Sequence, residues 1–261
     1  MTLEGKFSHE TVLEKIRQAQ ENIEKAAKES GRSGEDVILL AATKTVDAET
    51  INFAIDNGIK CIGENRVQEL LDKYDAINKD KVDIHFIGTL QTNKVKYIAD
   101  KVSMIHSVDS VKLAKEIDKQ CKKIGKVMNV LVEINIGREG SKGGIMPEDC
   151  EAFLKEISLF ENIKVCGLMT IPPKCQMDEN VEKMTQIDNE NCEKTSCSKI
   201  SYKNQDFFKK IMKLFLNISQ KKLDNIYMQY LSMGMSDDYE QAVKEGSNIV
   251  RIGRGLFGSR L

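Results

Sequence analysis

The 261 residues, with 39 Lys and Arg against 40 Asp and Glu, allow one large domain or two small ones and carry no basic excess to mark a nucleic-acid partner. The first ten residues lack the apolar core of a signal peptide and carry the acids a transit peptide avoids, and no stretch is apolar enough for a bilayer. Seven cysteines, none in a C-x-x-C pair, indicate neither a disulfide framework nor a zinc site, and a soluble cytoplasmic monomer is expected.

Residues 8–29 read as an opening helix. Val12, Ile16, Ala19, Ile23 and Ala26 recur at helical spacing, Ser8 can cap the start and Gly31 can end it. Residues 37–44, Val-Ile-Leu-Leu-Ala-Ala-Thr-Lys, then place six apolar residues in a row, as in a strand buried on both faces. Helix 47–57, strand 60–63 and helix 64–76 follow, then strand 84–87 with helix 91–100. Strand 104–108 leads to helix 110–123, strand 127–134 to helix 148–160, and strand 164–169 comes next. The rhythm breaks at 174–205, which is rich in Asn, Glu, Lys, Ser and Cys and reads as a mobile surface insertion. A helix resumes near Asp206, with Phe208, Ile211, Phe215 and Ile218 on one face. Strand 230–233, helix 237–245, strand 249–253 and a short closing helix over 256–261 complete the chain.

Eight strand–helix units with parallel crossovers predict an α/β protein, a single-domain (β/α)8 TIM barrel with an additional N-terminal helix. The usual size of that fold is about 250 residues. An open doubly wound sheet is the alternative, weakened because no G-x-G-x-x-G follows the first strand.

In a barrel the residues just past each strand converge on one mouth. Lys44 is among them. It is either a solvated lysine marking the strand's end or an amine nucleophile with low-dielectric walls behind it. The other mouth positions include residues 64–66, 85–89, 106–107, 232–236 and 251–255, with no metal-ligand cluster and no Ser-His-Asp set. Two glycine loops, Ser232-Met-Gly-Met-Ser236 and Arg251-Ile-Gly-Arg-Gly255, end strands seven and eight, where barrels often hold a phosphate. With Lys44 across the mouth they suggest a phosphorylated aldehyde held as a Schiff base, a description that pyridoxal 5'-phosphate meets.

Several stretches carry a resemblance: Ala42-Thr-Lys-Thr45, Gly63-Glu-Asn-Arg-Val-Gln-Glu69, His85-Phe-Ile-Gly-Thr-Leu-Gln-Thr-Asn-Lys-Val95, His106-Ser-Val-Asp-Ser110, Gly167-Leu-Met-Thr-Ile-Pro172, Leu231-Ser-Met-Gly-Met-Ser-Asp237 and Val250-Arg-Ile-Gly253. In these the chain resembles the YggS/PROSC family of pyridoxal-phosphate-binding proteins, single-domain barrels similar to the first domain of bacterial alanine racemase. The resemblance implies that Lys44 carries the cofactor as a Schiff base and that Arg251 faces the pyridine nitrogen. It implies that Ser232 and the backbone of Gly253 and Arg254 hold the phosphate, that Asn65 and His85 line the ring pocket, and that Met233 packs near it. Each has a plainer reading: Asn65 as a helix cap, His85 as a core histidine, Met233 as core filler. The chain departs from the family at Arg254, where a small hydroxyl residue is usual. The Arg254 backbone can still serve, and its guanidinium can either bond the phosphate or face solvent.

A guanidinium only donates hydrogen bonds, so Arg251 leaves the ring nitrogen unprotonated and the ring a weak electron sink. Alanine racemase adds a tyrosine from a second domain, and no counterpart is evident here. The expectation is a carrier in intracellular pyridoxal phosphate homeostasis, with pyridoxal-phosphate-dependent apoenzymes as candidate recipients. Two alternatives stay open: an amino-acid racemase of low activity on the same cofactor, and a cofactor-free Schiff-base aldolase acting on a sugar phosphate.

Overall fold

The computed structural model describes residues 8–173, 192–221 and 223–258, with the backbone alone for 192–203. The order of elements is α1 (His9–Glu29), β1 (Ile38–Ala42), α2 (Ala48–Asp56), β2 (Cys61–Glu64), α3 (Val67–Lys73), β3 (Asp83–Phe86), α4 (Val95–Ile98), β4 (Met104–Val108) and α5 (Val111–Lys123). It continues with β5 (Met128–Ile134), α6 (Cys150–Ile157), β6 (Ile163–Thr170), α7 (Cys192–Ser219), β7 (Ile226–Met235), α8 (Tyr239–Lys244), β8 (Ile249–Ile252) and α9 (Arg254–Phe257). The eight strands are parallel and in sequence order, and β8 closes on β1 with Leu40 beside Arg251. The expected barrel is therefore present.

Two apolar layers hold it. Outward strand residues such as Ala41, Ile62, Phe86, Ile105 and Val250 pack with the helices, and a smaller inner core fills the barrel around Leu40, Cys61, Met104, Leu131 and Ile249. The opening helix ends on Gly31 at φ 74, with the Arg32 N–H on Ala27 O at 2.9 Å and the Gly31 N–H on Lys28 O at 3.0 Å. That is a Schellman cap, which glycine forms without strain. Ser8 stands at the other end without a side-chain cap bond. Helix α1 lies against α2, α8 and α9, where Asn22 Nδ2 donates to the Tyr239 hydroxyl at 2.9 Å and Lys244 pairs with Glu29. Gly167, at φ 151 in an irregularity of β6, has its backbone so close to β7 that a Cβ would lie 1.8 Å from Tyr230 O.

Several boundaries shift. Helices expected over 64–76 and 91–100 are α-helical only at Val67–Lys73 and Val95–Ile98, with single 3-10 turns completing each. Strand seven is longer than 230–233. Residues 192–205 are not loop: they form the first turns of α7, whose later residues Phe208 and Ile211 are fully buried anchors worth roughly 2 kcal/mol each. Residues 192–205 are mostly polar, so composition does not register the helix. Residues 174–191 of the expected insertion, and the last three of the closing helix, lie outside the described residues. No described helix is long and apolar enough to cross a membrane.

Candidate functional site

Period-two alternation decides which side chains enter the barrel. On β1, Ile38, Leu40 and Ala42 pack in the inner core, while Leu39 and Ala41 face the helices. Lys44 continues the inward row at the carboxyl end, half-buried, in a tight turn closed by the Val46 N–H on Thr43 O at 3.0 Å. On β2, Cys61 faces in and Ile62 out, and Asn65 follows in the inward row just past the strand. Asn65 Oδ1 is buried with no hydrogen-bond partner among the described residues. Gly88 lies directly over it: a Cβ there would sit 2.1 Å from Asn65 O, so only glycine lets the β3 exit pass.

Below the mouth runs a buried polar chain. Arg251 Nη1 donates to Ser232 Oγ at 2.6 Å and Nη2 to Thr170 O at 2.9 Å. Ser232 Oγ lies 3.1 Å from His106 Nδ1, His106 Nε2 lies 3.0 Å from His85 Nδ1, and His85 Nδ1 meets Cys61 Sγ at 3.4 Å. A guanidinium has no acceptor, so the Ser232 oxygen accepts from Arg251. That oxygen keeps a second lone pair, so the hydrogens between Ser232 and His106 and between the two imidazoles follow the tautomer of His106.

Burial holds both imidazoles neutral: it pushes His85 down to about 4, and His106 well below the ordinary value with help from the nearby His85 and Arg251 charges. Arg251, 5% exposed, is lowered by burial to about 10, opposed by the carboxylates of Asp238 and Glu133, and stays cationic at neutral pH. Unfolded, each histidine titrates near 6.5, so the stability they contribute is complete above that pH and is lost as pH falls through the folded values. Between about pH 6.5 and 4, His85 alone should remove roughly 3 kcal/mol. Urea unfolding near pH 7 and near pH 5 measures this, and a His85→Gln/His106→Gln protein with an equal acid loss would assign it elsewhere.

The phosphate-type loops are arranged differently from the expectation. Ser232 is fully buried and committed to Arg251 and His106, so its hydroxyl supports the guanidinium. The hydroxyl beside the Gly253–Arg254 turn is that of Ser236, which accepts the Gly255 N–H at 3.0 Å. Both serines stand in one glycine loop, and a register irregularity between Ser232 and Met235 separates their roles. Met233, expected to pack near the ring pocket, is fully buried in the outer core, because alternation turns it toward the helices. The Arg254 guanidinium pairs with Asp237 Oδ2 at 2.6 Å on the surface, an exposed pair of small energetic weight. Asp238 is buried, accepting the Met235 N–H and Asn204 Nδ2, both at 2.7 Å, so α7 braces the loop. Its carboxyl is raised by burial.

Lys44, Asn65 and Gly253 thus stand at the strand ends on one side of the barrel, with Arg251, His85 and Ser232 in the polar chain beneath them. One acid escaped the reading of the sequence. Glu133 lies between outward Val132 and Ile134, in register with inner-core Met169, so it faces the barrel interior. Burial and then Asp109 raise its carboxyl, and Arg251 and Lys142 oppose them.

The chain matches the family described as alanine racemase, N-terminal domain, over residues 15–261. It is 40% identical over 247 residues to the pyridoxal phosphate homeostasis protein of Aquifex aeolicus, covering 95% of this chain and 97% of that one. The crystal structure of an unknown protein from Bifidobacterium adolescentis superposes with a TM-score of 0.82 at 31% identity, with 95% of each chain covered. PipY of Synechococcus elongatus, with PLP bound, superposes with a TM-score of 0.71 at 25% identity, covering 95% of this chain and all of that one. The chain belongs to the alanine racemase N-terminal domain family and, within it, to the YggS/PROSC proteins.

Proposed function

We propose that this protein binds pyridoxal 5'-phosphate reversibly and serves in its homeostasis in the cytoplasm, as a holder of the cofactor without strong catalysis of its own. What supports the reading is that Lys44 and the Ser236 hydroxyl beside a backbone turn stand at one end of the barrel, above the buried cation of Arg251. The residues present fit the group. Asn65 keeps a buried polar atom without a partner among the described residues, and a site that leaves one is suited to a polar ligand. Lys44 would bond the aldehyde, Arg251 would face the ring nitrogen, and Asn65 would flank the ring. Ser236 with the Gly253–Arg254 backbone would hold the phosphate, and His85, His106 and Ser232 would keep Arg251 in place. When bound, the cofactor supplies an electron-withdrawing ring. Arg251 could only donate to that ring, which would leave its nitrogen unprotonated and favour holding over turnover. Pyridoxal-phosphate-dependent apoenzymes are the proposed recipients.

The test is a titration with pyridoxal phosphate followed in the visible, then borohydride reduction and peptide mass spectrometry. A saturable violet-region band and a reduced adduct on Lys44 are expected, with negligible exchange of amino-acid α-hydrogen for solvent deuterium. Rapid exchange would make the protein a racemase-type enzyme. No band, with borohydride trapping only in the presence of a sugar phosphate, would make it an aldolase.

A further inference from the structure

Lys44 stands in a turn whose sequence does not suit its shape. The turn runs from Thr43 to Val46, and Thr45, its third residue, sits at φ 64. A turn with positive φ at that place selects Gly or Asn. A β-branched residue there is strained, and such strain persists only where the surroundings over-determine it.

Those surroundings are on α3. Lys73 Nζ donates to Thr43 O at 2.8 Å and to Val46 O at 3.2 Å, the two corner carbonyls on either side of Lys44 and Thr45. Its third bond is an ion pair with Glu64 Oε1 at 2.6 Å, and Glu64 also accepts the Thr43 hydroxyl. An ammonium has three donors, and all three are placed. Glu64 is fully buried and the Lys73 side chain only 12% exposed, so this is no solvated surface pair. One turn earlier on the same helix, Glu69 accepts the Thr45 N–H at 3.2 Å.

We propose that Lys73 is a positioning residue for Lys44, holding through the Thr43 and Val46 carbonyls the strained turn that aims the Lys44 amine into the barrel mouth. The inference rests on the reading of Lys44 as the residue that bonds the cofactor aldehyde. A pair serving only to tie β2 to α3 would need Glu64 and Lys73 alone. Here the ammonium also reaches the backbone of the reactive lysine's own turn, and the buried carboxylate fixes the ammonium.

A Glu64→Gln/Lys73→Met protein removes both charges together, so neither is left buried alone. Thr45→Gly is then added to it, because glycine adopts positive φ without strain. Pyridoxal phosphate affinity and the rate of band formation are measured. So is the labelling rate of Lys44 by trinitrobenzenesulfonate in cofactor-free protein, relative to the other lysines. The double variant should bind or react roughly tenfold to a hundredfold less well, with Lys44 labelled faster, and Thr45→Gly should restore most of both. An unchanged affinity and rate, or a loss that Thr45→Gly does not lessen, overturns the proposal. If the double variant does not fold, Lys73→Gln with and without Thr45→Gly is judged by the same two criteria. A parent protein that forms no band overturns the reading of Lys44 instead.

Discussion

Lys44→Ala is expected to abolish the violet-region band, weaken retention of pyridoxal phosphate by at least about a hundredfold, roughly 3 kcal/mol, and leave the chain folded. The position explains the selectivity. Lys44 follows Ile38, Leu40 and Ala42 on the inward side of β1, yet lies past the strand, half-buried and in a turn. Lys44 belongs to neither apolar core, so the variant should still fold cooperatively. Neighbouring amines are poor substitutes. Lys73 Nζ is engaged by three acceptors, and Lys142 pairs with Glu139. Absorption after desalting, beside a thermal melt, measures both effects. A band of normal height in Lys44→Ala would mean that another amine holds the aldehyde and that the barrel mouth is misassigned.

Much of this arrangement was legible because local pattern and global fold agree. Six apolar residues ending in Thr43 and Lys44 announce a buried parallel strand and the lysine at its carboxyl end, and eight such alternations leave few architectures. What escaped depends on offsets of one residue or on distant contacts. Whether Ser232 or Ser236 stands beside the Gly253–Arg254 turn depends on an irregularity between Ser232 and Met235, which no composition records. The same alternation that turns Ser232 inward sends Met233 to the outer core. Residues 192–205 look like loop because they are polar, although Asn204 among them is buried against Asp238. Glu133 reads as an ordinary strand acid until alternation is counted from its neighbours. Lys73 is one more polar residue of the helix expected over 64–76, and only the folded chain brings it to Thr43 and Val46, roughly thirty residues away in sequence.

Arg251→Met should be the most destabilising change at the site, on the order of 3 kcal/mol, and should remove cofactor binding with it. Methionine is flexible and fits the volume of the arginine stem, so the loss comes from the guanidinium. Its departure leaves Ser232 Oγ and Thr170 O without their donors, both fully buried. It also withdraws the cation that Glu133 and Asp238 face. Both carboxyls are already raised by burial, so the stability linked to their protonation is complete below the unfolded values and is lost as pH rises through the folded ones. Without Arg251 those folded values climb further, and the deficit of the variant must grow from acid toward neutral pH. The histidines add to this in the same sense: losing the nearby positive charge makes His106 easier to protonate, softens the acid loss of the variant and so narrows its deficit at acid pH. Urea unfolding of the parent and Arg251→Met at about pH 5 and about pH 8 measures the combined trend. A deficit that is the same at both would show that the charges of Glu133 and Asp238 do not depend on Arg251, and that the guanidinium acts through its hydrogen bonds to Ser232 and Thr170 alone.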